Sequence, residues 1–204
     1  AEKIKWLQIR ATACIRLKRT DCAIDAYKQS LKLDDKYVPA YNGLASVAIS
    51  EEQYAAANKY LEQANGYDSK NAVTWRLQGE LAREQGQYDE AIDKLQTALQ
   101  LAPEDPLTLR KMADIYLESN DFESAQAFVD EIVEKTPNDP LAILLSSWLE
   151  SKDQEKLVNN DRLEQLNEIM NSLSPELIAD QPVLYYISGL TAFFHGNTEQ
   201  ATRD

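Results

Sequence analysis

Cysteine and histidine are almost missing from this chain: Cys14, Cys22 and His195 are the only ones in 204 residues. Two thiols and one imidazole cannot complete a four-ligand zinc shell or build a disulfide framework, so neither a metal nor any other cofactor is expected. The two cysteines read as small buried residues of one helical pair, and a bridge between them needs an oxidising compartment. Glycine and proline are also sparse, 6 and 7 residues, whereas Ala, Leu, Gln, Glu and Lys are abundant. That balance favours helix throughout and almost no strand. No run of 18 apolar residues occurs, and the opening AEKIKWLQIR lacks a signal-peptide core, so no direct insertion into a membrane is expected. Positive charge is scarce too. A net charge of −13 argues against a nucleic-acid partner, which needs lysines and arginines to displace counterions from phosphates. The deficit is uneven, because residues 1–37 carry 9 Lys/Arg against 5 Asp/Glu. This stretch reads as an anion-binding end or as a solvated face.

What is present is a period. Alanines at Ala23, Ala57, Ala91 and Ala125 stand 34 residues apart and define four regular units, 4–37, 38–71, 72–105 and 106–139. The fourth position of each unit reads Leu7, Tyr41, Trp75, Leu109, and the eighth Ala11, Ala45, Gly79, Ala113. In the second half, the seventeenth reads Thr20, Tyr54, Tyr88, Phe122, the twenty-fourth Tyr27, Leu61, Leu95, Val129, and the twenty-seventh Ser30, Ala64, Ala98, Ile132. Spacings of three, four and seven predict two amphipathic helices per unit, separated by polar turns such as Glu84-Gln85-Gly86-Gln87. The small residues predict a close crossing, with Gly79 against Ala91 and with Trp75 and Tyr88 filling the wider gaps. Residues 140–181 form an irregular fifth unit with a stretched middle, and residues 182–204 begin a sixth that stops short. The chain therefore reads as a piece of a longer protein.

Units of this kind resemble the tetratricopeptide repeat, whose signature runs W-x₂-L-G-x₂-Y, then A-x₃-F, A and P. Residues 72–105 match at Trp75, Gly79, Ala91, Leu95, Ala98 and Pro103, and depart where Gln78 occupies the leucine slot. The resemblance implies an all-α fold, a right-handed superhelix (an α-solenoid of antiparallel helix pairs), whose first helices line a concave surface for a protein or peptide partner. Carried over by position, that surface takes Gln8, Thr12, Asn42, Ser46, Arg76, Arg83 and Arg110, with Ile49 beside them. One branch of the family grips a peptide carboxylate with basic and amide side chains, a role open to Asn42, Arg76 and Arg110. Glu80 and Asp114 lie one turn from the two arginines, so pairing within each helix is the simpler expectation.

The last third is apolar on more than one face, as in LAILLSSWLE and PVLYYISGLTAFF. Leu144, Trp148, Tyr186, Leu190 and Phe193 fall at groove positions there, as candidates for binding an apolar peptide or for self-association. No phosphate loop or nucleophile motif occurs, and His195 sits in a turn, so the chain does not read as an enzyme. The run from AQAFVDEIVEKTPNDPLAILLSSWLES to QPVLYYISGLTAFFHGNTEQAT is similar to the PrsT family of bacterial repeat lipoproteins found with exosortase and exopolysaccharide systems. That resemblance implies a periplasmic scaffold. The alternatives are a cytoplasmic co-chaperone-like module reading peptide C-termini and a self-associating spacer.

Overall fold

A computed structural model of the protein describes residues 2–137, together with 139, 142, 143, 145, 146, 149, 168 and 171. Eight helices run through this region: α1 (Glu2–Arg16), α2 (Thr20–Leu33), α3 (Val38–Ser50), α4 (Tyr54–Tyr67), α5 (Ala72–Glu84), α6 (Tyr88–Leu101), α7 (Pro106–Glu118) and α8 (Phe122–Lys135). No strand occurs among the described residues. The second helix of each pair starts at the seventeenth position and spans 14 residues every time.

The chain divides into two compact units, 1–115 and 116–204. In the first, α1 pairs with α2, α3 with α4 and α5 with α6, and the pairs are joined where α2 meets α3 and α4 meets α5. The first helices α3 and α5 also touch each other. In the second unit, α8 buries Ala125, Val129 and Ile132, and Tyr116 stacks on Phe128 at 5.7 Å between ring centroids.

The recurring small residues sit where the helices cross. Ala11, Ala23, Ala45, Ala57 and Ala91 are all completely buried. A Cβ built on Gly79 would lie 2.7 Å from Leu95 Cγ and 3.1 Å from the Ala91 carbonyl oxygen, so the Leu95 side chain and the α6 backbone leave no room for a larger residue there. Trp75 fills the wider gap beside it, half-buried, with its indole N–H donating to the Ser69 carbonyl at 2.8 Å and Lys94 Nζ 5.5 Å from the ring centroid. Tyr88 does not share that role, for it is 41 % exposed at the start of α6.

Turn chemistry repeats with the same period. Lys18, Glu52, Gly86 and Asn120, the fifteenth residue of each unit, all take positive φ between 54° and 72°. This left-handed residue ends the first helix and turns the chain into the second. Before the next unit, Asn71 and Asp105 accept from the N–H groups of Thr74 and Thr108 and so cap α5 and α7. Cys14 and Cys22 are joined by a disulfide, Cα–Cα 5.8 Å, that ties the end of α1 to the start of α2.

Ala91→Leu should overpack the α5–α6 crossing and lower unfolding free energy by about 1–3 kcal/mol in denaturant titration; an unchanged midpoint would contradict the close approach. Glu52→Gly should raise stability by about 1 kcal/mol, because glycine takes the left-handed conformation without the penalty of a Cβ.

Candidate functional groove

In the first compact unit, α1, α3 and α5 enclose a groove of about 380 Å³. Gln8 comes from α1, Asn42 and Ser46 from α3, and Arg76 and Glu80 from α5, with Asn71 at the entry to α5. Tyr27, Pro39, Val73 and Leu77 supply apolar walls. Gly43 also lines it for a steric reason: a Cβ there would stand 2.2 Å from Tyr27 Cζ, so the tyrosine ring lies directly on the α3 backbone. Burial raises the Tyr27 pKa above its ordinary value.

Amide side chains are held in place by a small network. Asn42 is buried, donates through Nδ2 to Asn71 Oδ1 at 3.3 Å, and accepts at Oδ1 from the Thr74 hydroxyl at 3.0 Å. One of its two amide hydrogens is thereby used. Gln8 Oε1 is buried and accepts no hydrogen bond, which costs about 1–3 kcal/mol for a polar group removed from water.

Charges at the groove are paired between helices. Arg76 Nε lies 3.4 Å from Asp105 Oδ2, close enough for an ion pair but misaligned for a hydrogen bond, and Glu80 accepts from Lys111 Nζ at 3.1 Å. The expected pairing of Arg76 with Glu80 within α5 therefore gives way to contacts with residues beyond α6, because Asp105 at the end of the same unit reaches Arg76 and Lys111 of the next unit reaches Glu80.

The other sequence-assigned positions are dispersed. Thr12 is exposed and its hydroxyl donates to the Gln8 carbonyl at 3.1 Å. Arg83 pairs with its neighbour Glu84, Arg110 is half-buried on α7, and Ile49 is buried in the core with Ala45 and Leu61 instead of facing the concavity. Leu144, Trp148, Tyr186, Leu190 and Phe193 lie outside the described residues. Asn71, Tyr27 and Gly43 were missed as groove residues. The signal for Asn71 was its place at the end of a unit, where Asp105 and Asp139 recur.

The raised pKa of Tyr27 has a pH consequence. Its folded value lies above the unfolded one, so the stability tied to the neutral phenol is complete below about pH 10 and is lost as pH rises through the folded value. Tyr27→Phe should lose less stability than the parent between about pH 9 and 11 in denaturant midpoints; equal losses would mean that this ring is not the sensitive group.

Two family models, both described as tetratricopeptide repeat, match residues 42–106 and 82–149 and together span more than half of the chain. None of the curated proteins matches it in sequence. Among solved structures it is similar to PilF of Pseudomonas aeruginosa, with 19% identity, a TM-score of 0.76, and coverage of 99% of this chain and 88% of that one. It is also similar to YrrB, a repeat protein with an unusual peptide-binding site, at 19% identity and a TM-score of 0.54, covering 78% of this chain and 82% of that one. MamA follows at 17% identity and a TM-score of 0.57, covering 88% and 95%. Helices in antiparallel pairs at a 34-residue period, the alanine crossings and these matches agree, and the chain belongs to the tetratricopeptide repeat family.

Proposed function

We propose that the chain is a protein-binding scaffold that takes an extended peptide segment of its partner along α1, α3 and α5. The observation that carries this reading is the groove itself, in which first helices of three successive units set Gln8, Asn42 and Arg76 beside one another at the same repeat position. Its uncharged polar side chains are the amides of Gln8, Asn42 and Asn71 with the Ser46 hydroxyl, and its nearby charges are already paired as Arg76–Asp105 and Glu80–Lys111. That composition suits the neutral backbone of an internal segment better than a terminal carboxylate, which would have to displace Asp105 from Arg76. YrrB offers a precedent for peptide binding within the same fold.

A place in a bacterial envelope protein linked to exopolysaccharide export or protein sorting is the finer part of the proposal. It rests on the PrsT-like run in the last third and on the Cys14–Cys22 disulfide, which belongs to an oxidising compartment. In cells of the source organism, both thiols should resist maleimide until a reductant is added. Labelling without reductant would favour the cytoplasmic reading.

The peptide reading is tested by selecting binders from a random peptide display. Ser46 is exposed on the groove wall, so Ser46→Tyr should block it without disturbing the core. Selected peptides should lose at least about tenfold in affinity, about 1.4 kcal/mol, to Ser46→Tyr and keep their affinity for Leu144→Ser/Trp148→Ser. The opposite pattern would move the working surface to the last third.

A further inference from the structure

The peptide groove has an apolar edge that keeps the period of the repeat. Position two of the unit, in the first turn of the first helix, is Pro39 in α3, Val73 in α5 and Leu107 in α7, and all three are exposed. Pro39 and Val73 line the groove itself. Val73 is 43 % exposed although α5 has helix pairs before and after it, so the repeats themselves leave this position open. Lys5 holds the same position on α1, and the apolar edge therefore begins at α3.

Alongside the edge runs a polar row. Position five, three residues further along each first helix, is Gln8, Asn42 and Arg76. Two hydrogen-bonding groups in this row are not used by the fold. Gln8 Oε1 is buried without a donor, and one amide hydrogen of Asn42 is left over after its bond to Asn71. An acceptor and a donor on neighbouring helices are complementary to a ligand with free N–H and carbonyl groups. The charges nearby are paired internally, Arg76 with Asp105 and Glu80 with Lys111, so the matching segment is neutral where it faces them.

Spacing then selects a conformation. Packed helices stand about 8–10 Å apart, and α3 touches α5, so an occupant meets one apolar site of the edge per interval of that length. In a polyproline II segment three residues rise about 9.3 Å and complete one turn, which puts residues i, i+3 and i+6 on one face at the spacing of the helices. A β-strand also covers about 10 Å in three residues, but its side chains alternate between faces, so i and i+3 cannot both reach the edge. An α-helix has no free backbone groups for the polar row, because its N–H and carbonyl groups bond one another.

We propose that the segment held by the groove is a neutral polyproline II stretch with an apolar residue, such as proline or leucine, at every third position. This rests on the groove being the peptide site and adds the sequence chemistry of the partner. Successive apolar side chains lie on Pro39, Val73 and Leu107, while every third backbone unit exchanges hydrogen bonds with the amides of the polar row. A proline-containing segment holds this conformation before it binds, which lowers the entropy lost on docking.

The test presents the whole chain with three displayed libraries of segments about twelve residues long, enough to span about 37 Å when extended in this way. Both ends of each segment are fused to carrier sequence, so no free terminus takes part. Apolar residues stand at i, i+3 and i+6 in the first library, at i, i+2 and i+4 in the second, and at i, i+4 and i+7 in the third. Random Ser, Thr, Asn and Gln fill the remaining positions. The first library should yield binders at least about tenfold tighter than either of the others, and Ser46→Tyr should block them. Val73→Ser/Leu107→Ser, which truncates exposed side chains and spares the core, should weaken them about tenfold. Proline placed between the apolar residues should preserve or raise affinity, whereas it would disrupt a bound helix or strand. A loss of about tenfold on adding proline would overturn the proposal. Equal or tighter binders from the second or third library, still blocked by Ser46→Tyr, would overturn it too and leave the peptide reading of the groove standing. Binders indifferent to Ser46→Tyr, or none from any library, would overturn both.

Discussion

Everything in the first compact unit depends on how closely two helix backbones can approach. At the α5–α6 crossing there is no room for a Cβ on Gly79, and Ala91 opposite it is fully buried. A methyl group is the largest side chain tolerated at the other crossings, where Ala11, Ala23, Ala45 and Ala57 are equally inaccessible. Close packing makes these contacts stiff, because interiors at crystal-like density have no slack for an added methylene. Stiff pairs repeated every 34 residues place successive first helices side by side, and the groove exists because α1, α3 and α5 are held in that relation.

The groove follows from the same repetition. A residue at one repeat position returns on the next first helix, so Gln8, Asn42 and Arg76 line one surface although 34 residues separate each from the next. Between them run contacts from the ends of the units: Asn71 both caps α5 and holds Asn42, and Asp105 both caps α7 and holds Arg76. One side chain thus ends a loop, starts a helix and orients a groove residue. This economy explains why the polar side chains of the groove are largely pre-organised between its apolar walls.

The fold was legible in the sequence because its determinants are periodic and local. The alanine register, the large residues between and the polar turns placed the helices at a 34-residue spacing and identified the Gly79–Ala91 contact. Tyr88 was misplaced because a large residue at a periodic position can still face solvent at a helix start. Charge pairing was harder to read: Arg76 and Glu80 have obvious partners in each other one turn apart, and only three dimensions bring Asp105 and Lys111 closer. Tyr27 was readable as core, but its ring against Gly43, and hence its share in the groove wall, depends on the approach of α2 to α3.

The central claim is that the amide-lined groove on α1, α3 and α5 is the surface that meets a peptide. Side-chain amide NMR signals of Gln8, Asn42 and Asn71, followed while a selected peptide is titrated into the labelled protein, address it most directly. The account predicts that all three shift together and saturate with the peptide, while the amides of Gln29 and Asn58 on α2 and α4 stay in place. Saturable binding that leaves the three groove amides unmoved would contradict it.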